Sequence, residues 1–115
     1  MSSRPEQRAA LEAIDRILNR GGDADEVLGA VLEALHERGI GYAAIRFVEG
    51  DQLVDGPSIG GREAACLELP VLYEGAQVGT LELATDDAAF VARVATLISA
   101  YVLVGWDTAG EPWAP

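Results

Sequence analysis

Few residues of this chain have the types and spacing that chemistry could use. Gly60-Gly61-Arg62 has the glycines and the cation of a phosphate-cradling turn. A P-loop needs Gly-x-x-x-x-Gly-Lys-Ser/Thr between a strand and a helix, and here neither the lysine nor the helix follows. These glycines therefore read as turn residues. Arg46 and Arg62 can grip a carboxylate or phosphate by bidentate hydrogen bonds, with Tyr42 and Glu82 as neighbouring candidates on a ligand face. Cys66 is the sole cysteine, so it forms no internal disulfide, and no metal-ligand spacing accompanies it. His36 falls near the end of a helical pattern, where an imidazolium suits the helix dipole, and no second ligand is visible. No Ser/His/Asp set or paired-carboxylate site can be read from spacing, so the sequence predicts no catalysis, no cofactor and no metal.

Charge narrows the partners. The net charge is −11, which argues against a phosphate-backbone partner because nucleic-acid binding needs clustered cations. It disfavours an acidic partner surface as well. All eight basic residues are arginine, a usage that GC-rich bacterial coding produces. The lone cysteine fits a reducing cytoplasm. The start, MSSRPEQRAALEAID, lacks the apolar region of an export signal, and the apolar-rich run Ile98 to Trp106 is far shorter than the roughly 18 residues a membrane span requires. At 115 residues the chain is expected to be one domain, 1–115, with an irregular tail over 105–115.

The elements that must position these residues follow from periodicity. Ala10, Leu11, Ile14, Ile17 and Leu18 mark an amphipathic helix from Glu6 to about Asn19, ended by Gly21 and Gly22. Asp23, three residues before Glu26, reads as an N-cap with its capping-box partner. The second helix then runs to about Arg38, burying Val27, Leu28, Val31, Leu32 and Leu35, and Gly39 stops it. From Tyr42 to Val48 the period becomes two, with Ala43, Ile45 and Phe47 on the inner face. Glu49-Gly50-Asp51 reverses the chain and Gln52 to Val54 begins a second strand. Asp55 to Ala65, DGPSIGGREAA, reads as a connector. A hairpin follows, Cys66 to Tyr73 and Gln77 to Ala84, with Leu67, Leu69, Val71, Leu81 and Leu83 inward. Pro70 places the first arm at a sheet edge. Thr85 or Asp86 caps a last helix with Asp87 in its first turn. Phe90, Val94, Leu97 and Tyr101 form that helix's core stripe, and Val91, Ala95, Ile98, Val102 and Leu103 add apolar surface on a second side.

The hairpin LELPVLYEGAQVGTLELAT followed by AAFVARVATLISAYV resembles the C-terminal half of a GAF domain, and the two leading helices and the strand YAAIRFV fall in that family's order. The resemblance covers about Ala9 to Val104. It implies an α+β fold with a four-stranded antiparallel sheet, and two N-terminal helices and one long C-terminal helix on one face. It also implies a cytoplasmic sensory or regulatory module, often dimeric through its terminal helices. Some members bind cyclic nucleotides, tetrapyrroles, haem or small metabolites. In them, extra helices and loops between the second strand and the hairpin lid a pocket over one sheet face; here only the glycine-rich stretch occupies that place. Crossing the sheet from edge to edge takes three steps of about 4.8 Å, or about five extended residues, which leaves little chain for a lid. The free methionine sulfoxide reductases of this family use more than one cysteine, and its bilin receptors need a large pocket, so Cys66 reads as a small structural thiol.

The outward strand positions carry Tyr42, Ala44, Arg46 and Val48, then Cys66, Glu68 and Pro70, then Val78, Thr80 and Glu82. Arg46 with Glu82 or Glu68 reads as a cross-strand ion pair on a solvated face; the functional alternative is the anion groove of Arg46 and Arg62. The expected function is a non-enzymatic regulatory module that forms a homodimer through Leu11, Ile14, Leu18, Ile98, Val102 and Leu103. Trp106 and Trp113 are read as tail anchors that fold back on the domain, or as a docking peptide for a protein partner. The alternatives are a sensor of an anionic metabolite or nucleotide and, more remotely, a redox enzyme using Cys66.

Overall fold

The computed structural model describes residues 4–61 and 65–110, with side chains over 7–61 and 65–103. Helices α1 (Arg4–Arg20) and α2 (Ala24–Glu37) lead into strands β1 (Tyr42–Glu49) and β2 (Gln52–Gly60), then β3 (Leu67–Tyr73), β4 (Ala76–Leu83) and helix α3 (Ala88–Gly110). The four strands form one antiparallel sheet in the order β2-β1-β4-β3, so β3 with Pro70 is an edge strand. All three helices gather on one face, as the strand patterns predict: Ala43, Ile45, Phe47, Val71, Leu81 and Leu83 are buried beneath them. α2 packs on β1 and β2, α3 packs mainly on β3 and also on β4 and α2, and α1 lies against α2 and α3.

The glycine-rich stretch corrects the sequence reading. Asp55 to Gly60 is strand, not connector, and pairs with β1 as far as Tyr42 opposite Gly60. Ala44 faces Ser58 while Arg46 faces Asp55, so two residues, Gly56 and Pro57, oppose the single Ile45. That is a β-bulge at a sheet edge, the setting that tolerates both a proline without an N–H and a glycine. A side chain at Gly56 would strike the Phe47 ring and the Ile45 carbonyl oxygen. The bulge also restores the alternation of faces: Val54 and Ile59 pack against the core, and Asp55 points outward beside Arg46. The chain turns at Gly60, whose φ of +86° favours glycine. Only residues 61–66 link the two edges of the sheet, close to the minimum a crossing of about 14 Å needs.

The helix ends differ in detail from expectation. Asp23 is the N-cap of α2 without a side-chain cap bond; its carbonyl takes the Val27 N–H (2.9 Å). Asp87, rather than Thr85 or Asp86, caps α3. Its Oδ1 accepts the Phe90 N–H (3.1 Å), and the Thr85 hydroxyl oxygen accepts the Asp87 N–H (3.3 Å), holding the cap in place. α3 continues six residues into the stretch expected to be irregular, ending at Gly110, because one interior glycine at 105 costs a helix only about 1 kcal/mol. Residues 111–115, with Trp113, and the side chain of Trp106 lie outside the described residues.

Both apolar sides of α3 are used within one chain. Phe90, Val91, Val94, Ala95, Ile98 and Val102 are all buried, since the helix sits in the angle between the sheet and α2. Three of the residues expected on a dimer seam are buried within the single chain: Ile14 and Ile98 are 0 % exposed and Val102 is 2 % exposed. Leu11 and Leu18 are half-buried, and Leu103 is 45 % exposed.

Candidate functional site

The helix-free face of the sheet carries one organised polar cluster, centred on Arg46. β1 places Arg46 outward, its neighbour across β2 is Asp55, and its neighbour across β4 is Thr80. Arg46 Nε donates to Asp55 Oδ1 (3.2 Å), and Nη1 donates to Glu68 Oε2 (2.8 Å). The Thr80 hydroxyl donates to the same Glu68 oxygen (2.8 Å). The guanidinium therefore clips β1 to both sheet edges: to β2 directly, and to β3 over the intervening β4. The hydrogen bond to Asp55, then the charges of Glu68, Asp55 and Glu82, raise the Arg46 pKa above its already high ordinary value, so it is a fixed cation.

Sequence reasoning named Glu68 and Glu82 as the candidate partners, and the direct ion pair goes to Glu68. Asp55 was missed because it was read as connector. The signal was present: a Gly-Pro bulge inside a continuing strand keeps Val54 and Ile59 on the apolar face and turns Asp55 out. Glu82 lies opposite Glu68 across the β3–β4 ladder and is 4 % exposed. Tyr42 is half-buried at the start of β1, at the end of the sheet where the crossing begins. Arg62 lies outside the described residues.

The balance of charge decides what this face can hold. Among the described residues one arginine stands beside Asp55, Glu68 and Glu82, and its Nε and Nη1 are already engaged within the chain. An anion placed here would meet three carboxylates for each cation. Towards the opposite rim the face becomes apolar, with Val48 against Leu53 and Leu53 45 % exposed.

The other candidates are dispersed. His36 sits in the last turn of α2, and its Nδ1–H donates to the Ile40 carbonyl (3.0 Å), bridging the helix end to the chain that enters β1. Cys66 is half-buried immediately before β3 and outside any disulfide. Among the described residues no three His, Cys, Asp or Glu side chains are grouped to hold a metal, and no helix is long and apolar enough to cross a membrane.

In comparison with solved structures, the chain is similar to the GAF domain of A. aeolicus nlh2 in an inactive state. The TM-score is 0.73 at 13% identity, covering 90% of this chain and 99% of that one. It is also similar to the GAF domain of a phosphoenolpyruvate-protein phosphotransferase from Acinetobacter, with a TM-score of 0.63 at 12% identity, covering 96% of this chain and 98% of that one. No protein-family model matches the chain, and no curated protein matches it. What is shared at such identity is architecture: the chain has the GAF fold, an α+β domain with a four-stranded antiparallel sheet.

Proposed function

We propose that this GAF-fold chain is a non-enzymatic regulatory module that acts through protein contact, first of all with a second copy of itself. The observation that carries this reading is the exposed apolar surface of α3 at Leu103. The helix is 23 residues long, about 34 Å at 1.5 Å per residue, and among its described side chains the last one buried in the core is Val102. Leu103, the next residue, is 45 % exposed, and the helix continues beyond it to Gly110. An exposed leucine on a long helix is stabilised by packing against another helix. Leu97 and Tyr101 on α3, and Leu11 and Leu18 on α1, are half-buried and extend the same apolar character along the outer helices. The dimer seam is therefore drawn through Leu11, Leu18, Leu97, Tyr101 and Leu103, and Ile14, Ile98 and Val102 support it from beneath. The regulatory character follows from the fold likeness, and a cytoplasmic bacterial setting from the arginine usage and the single cysteine.

The outer sheet face supports this reading over an anion sensor. A crossing of six residues leaves little chain to lid a pocket, and Arg46 is committed to Asp55 and Glu68. The test is mass by light scattering at micromolar concentration. Twice the 12.1 kDa chain mass supports the dimer, and a monomeric mass overturns it.

A further inference from the structure

On the helix side of the sheet, at the end opposite the two hairpin turns, α1, the α2–β1 junction, the β4–α3 junction and the first turn of α3 enclose a partly open cavity of about 140 Å³. Its wall divides by polarity. Ala10 and Phe90, 1 % and 5 % exposed, make an apolar side with Ile40. Arg38, Gln7 and Thr85 are the polar residues that line it.

The arginine is underused where it stands. Only 30% of its side chain is exposed, yet Nη1 makes both of its contacts, to the Ala34 carbonyl at 3.4 Å and to Glu37 at 3.6 Å. Both lie at the long limit of such bonds. Nε and Nη2 have no partner among the described residues, which leaves a planar donor fork of the shape that takes a carboxylate. Thr85 Oγ1 accepts the Asp87 N–H and keeps its own proton to donate. Gln7 spends its amide N–H on Asp87 Oδ2 (3.1 Å) and keeps its carbonyl oxygen as an acceptor. The volume is close to that of a roughly 150 Å³ protein void that accepts a benzene ring, which is ample for a small acid and too small for a nucleotide.

From this we infer that the cavity is a binding site for a short-chain carboxylate of two to four carbons. The carboxylate sits on the Arg38 fork, one oxygen accepts a hydrogen bond from the Thr85 hydroxyl, and the short chain lies on Ala10 and Phe90. Occupancy ties α1 to the start of α3, the two helices whose outer surfaces form the proposed dimer seam, although binding itself does not depend on the oligomeric state.

The test is thermal unfolding of the full chain with acetate, propionate, butyrate or inorganic phosphate, at constant ionic strength set with sodium chloride. Propionate or butyrate at ten times its Kd is expected to raise Tm by roughly 5 °C. Arg38→Met is expected to weaken binding at least about tenfold. Ala10→Leu, which fills the cavity, should abolish the shift, whereas Arg46→Met should retain it. Should a variant lose its fold, amide chemical shifts of the unaltered chain provide a second reading: propionate should perturb Gln7, Ala10, Arg38 to Ile40, Thr85 and Phe90. No carboxylate effect at 50 mM (about the weakest useful affinity), stabilisation by phosphate alone, binding undiminished in Arg38→Met, or perturbations centred on Arg46 would each overturn the inference.

Discussion

Replacing Arg46 with methionine keeps much of the stem that lies on the sheet and removes the charge that holds its outer face together. The contact with Asp55 is made to a side chain 91% exposed, so it contributes only about 0.3 kcal/mol after solvent screening. The contact with Glu68 joins side chains 33% and 36% exposed over 2.8 Å and contributes about 1 kcal/mol. The larger effect lies in what remains. Glu68 and Glu82 stand directly opposite on β3 and β4, and Glu82 is 4 % exposed. Without the guanidinium their like charges repel with little water to screen them. The expected loss is about 2–3 kcal/mol, read as a lower urea midpoint at unchanged m-value. Adding Glu82→Gln to Arg46→Met should recover about 1 kcal/mol, because the second change removes the repulsion the first exposed. The sign of the pH dependence is also set. A cation whose folded pKa is raised contributes fully below its ordinary unfolded value and loses that contribution only as pH rises through the folded one, so Arg46 titrates nothing between about pH 5 and 9. A loss under about 0.5 kcal/mol, or no recovery in the double variant, would refute the view of Arg46 as a structural clip.

Other substitutions probe the remaining elements. Gly56→Ala places a methyl group against the Phe47 ring and the Ile45 carbonyl, and should cost about 2 kcal/mol or more by chemical denaturation. Asp87→Ala removes the α3 cap and the link to Gln7, and should cost about 1–2 kcal/mol, with faster amide exchange in the first turn of α3. Ile98→Ala, at a site 0 % exposed between sheet and helices, should cost about 2–5 kcal/mol. Leu103→Asp should halve the mass measured by light scattering while leaving the isolated domain's fold intact by circular dichroism, since Leu103 is 45 % exposed; an unchanged mass would remove Leu103 from the seam.

The Arg46 cluster shows how far a sequence can be read without its fold. Arg46 and Glu68 could be paired on paper because alternation in β1 and β3 puts both outward. Asp55 could not, because assigning it to the face requires knowing that Gly56-Pro57 is a bulge within a strand rather than the start of a loop. Both states use the same residues, and what selects the strand is pairing with β1, a contact between segments the local pattern does not connect. The charge around Arg46 has a related origin: it is a sum over three strands, and only the sheet order brings Asp55, Glu68 and Glu82 to one cation.

Periodicity by itself determined the helices, the inward faces of β1, β3 and β4, the edge position of Pro70 and the stop at Gly39, since burying an apolar stripe against any partner demands the same spacing. The resemblance to the GAF fold rested on the turn glycines together with the core apolar positions. Tertiary structure alone decided which partner each stripe met. α3 looked two-sided enough to need a second partner beside the sheet, either the first helix or a second subunit, and the angle between sheet and α2 takes Ile98 and Val102 inside and leaves Leu103 out. The cavity at Arg38 was equally invisible, because Gln7, Arg38, Thr85 and Phe90 are distant in sequence and meet only where four elements close on one another. Spacing reports the surface an element must bury; the packing of the whole chain settles what buries it and what is left over for a ligand or a partner.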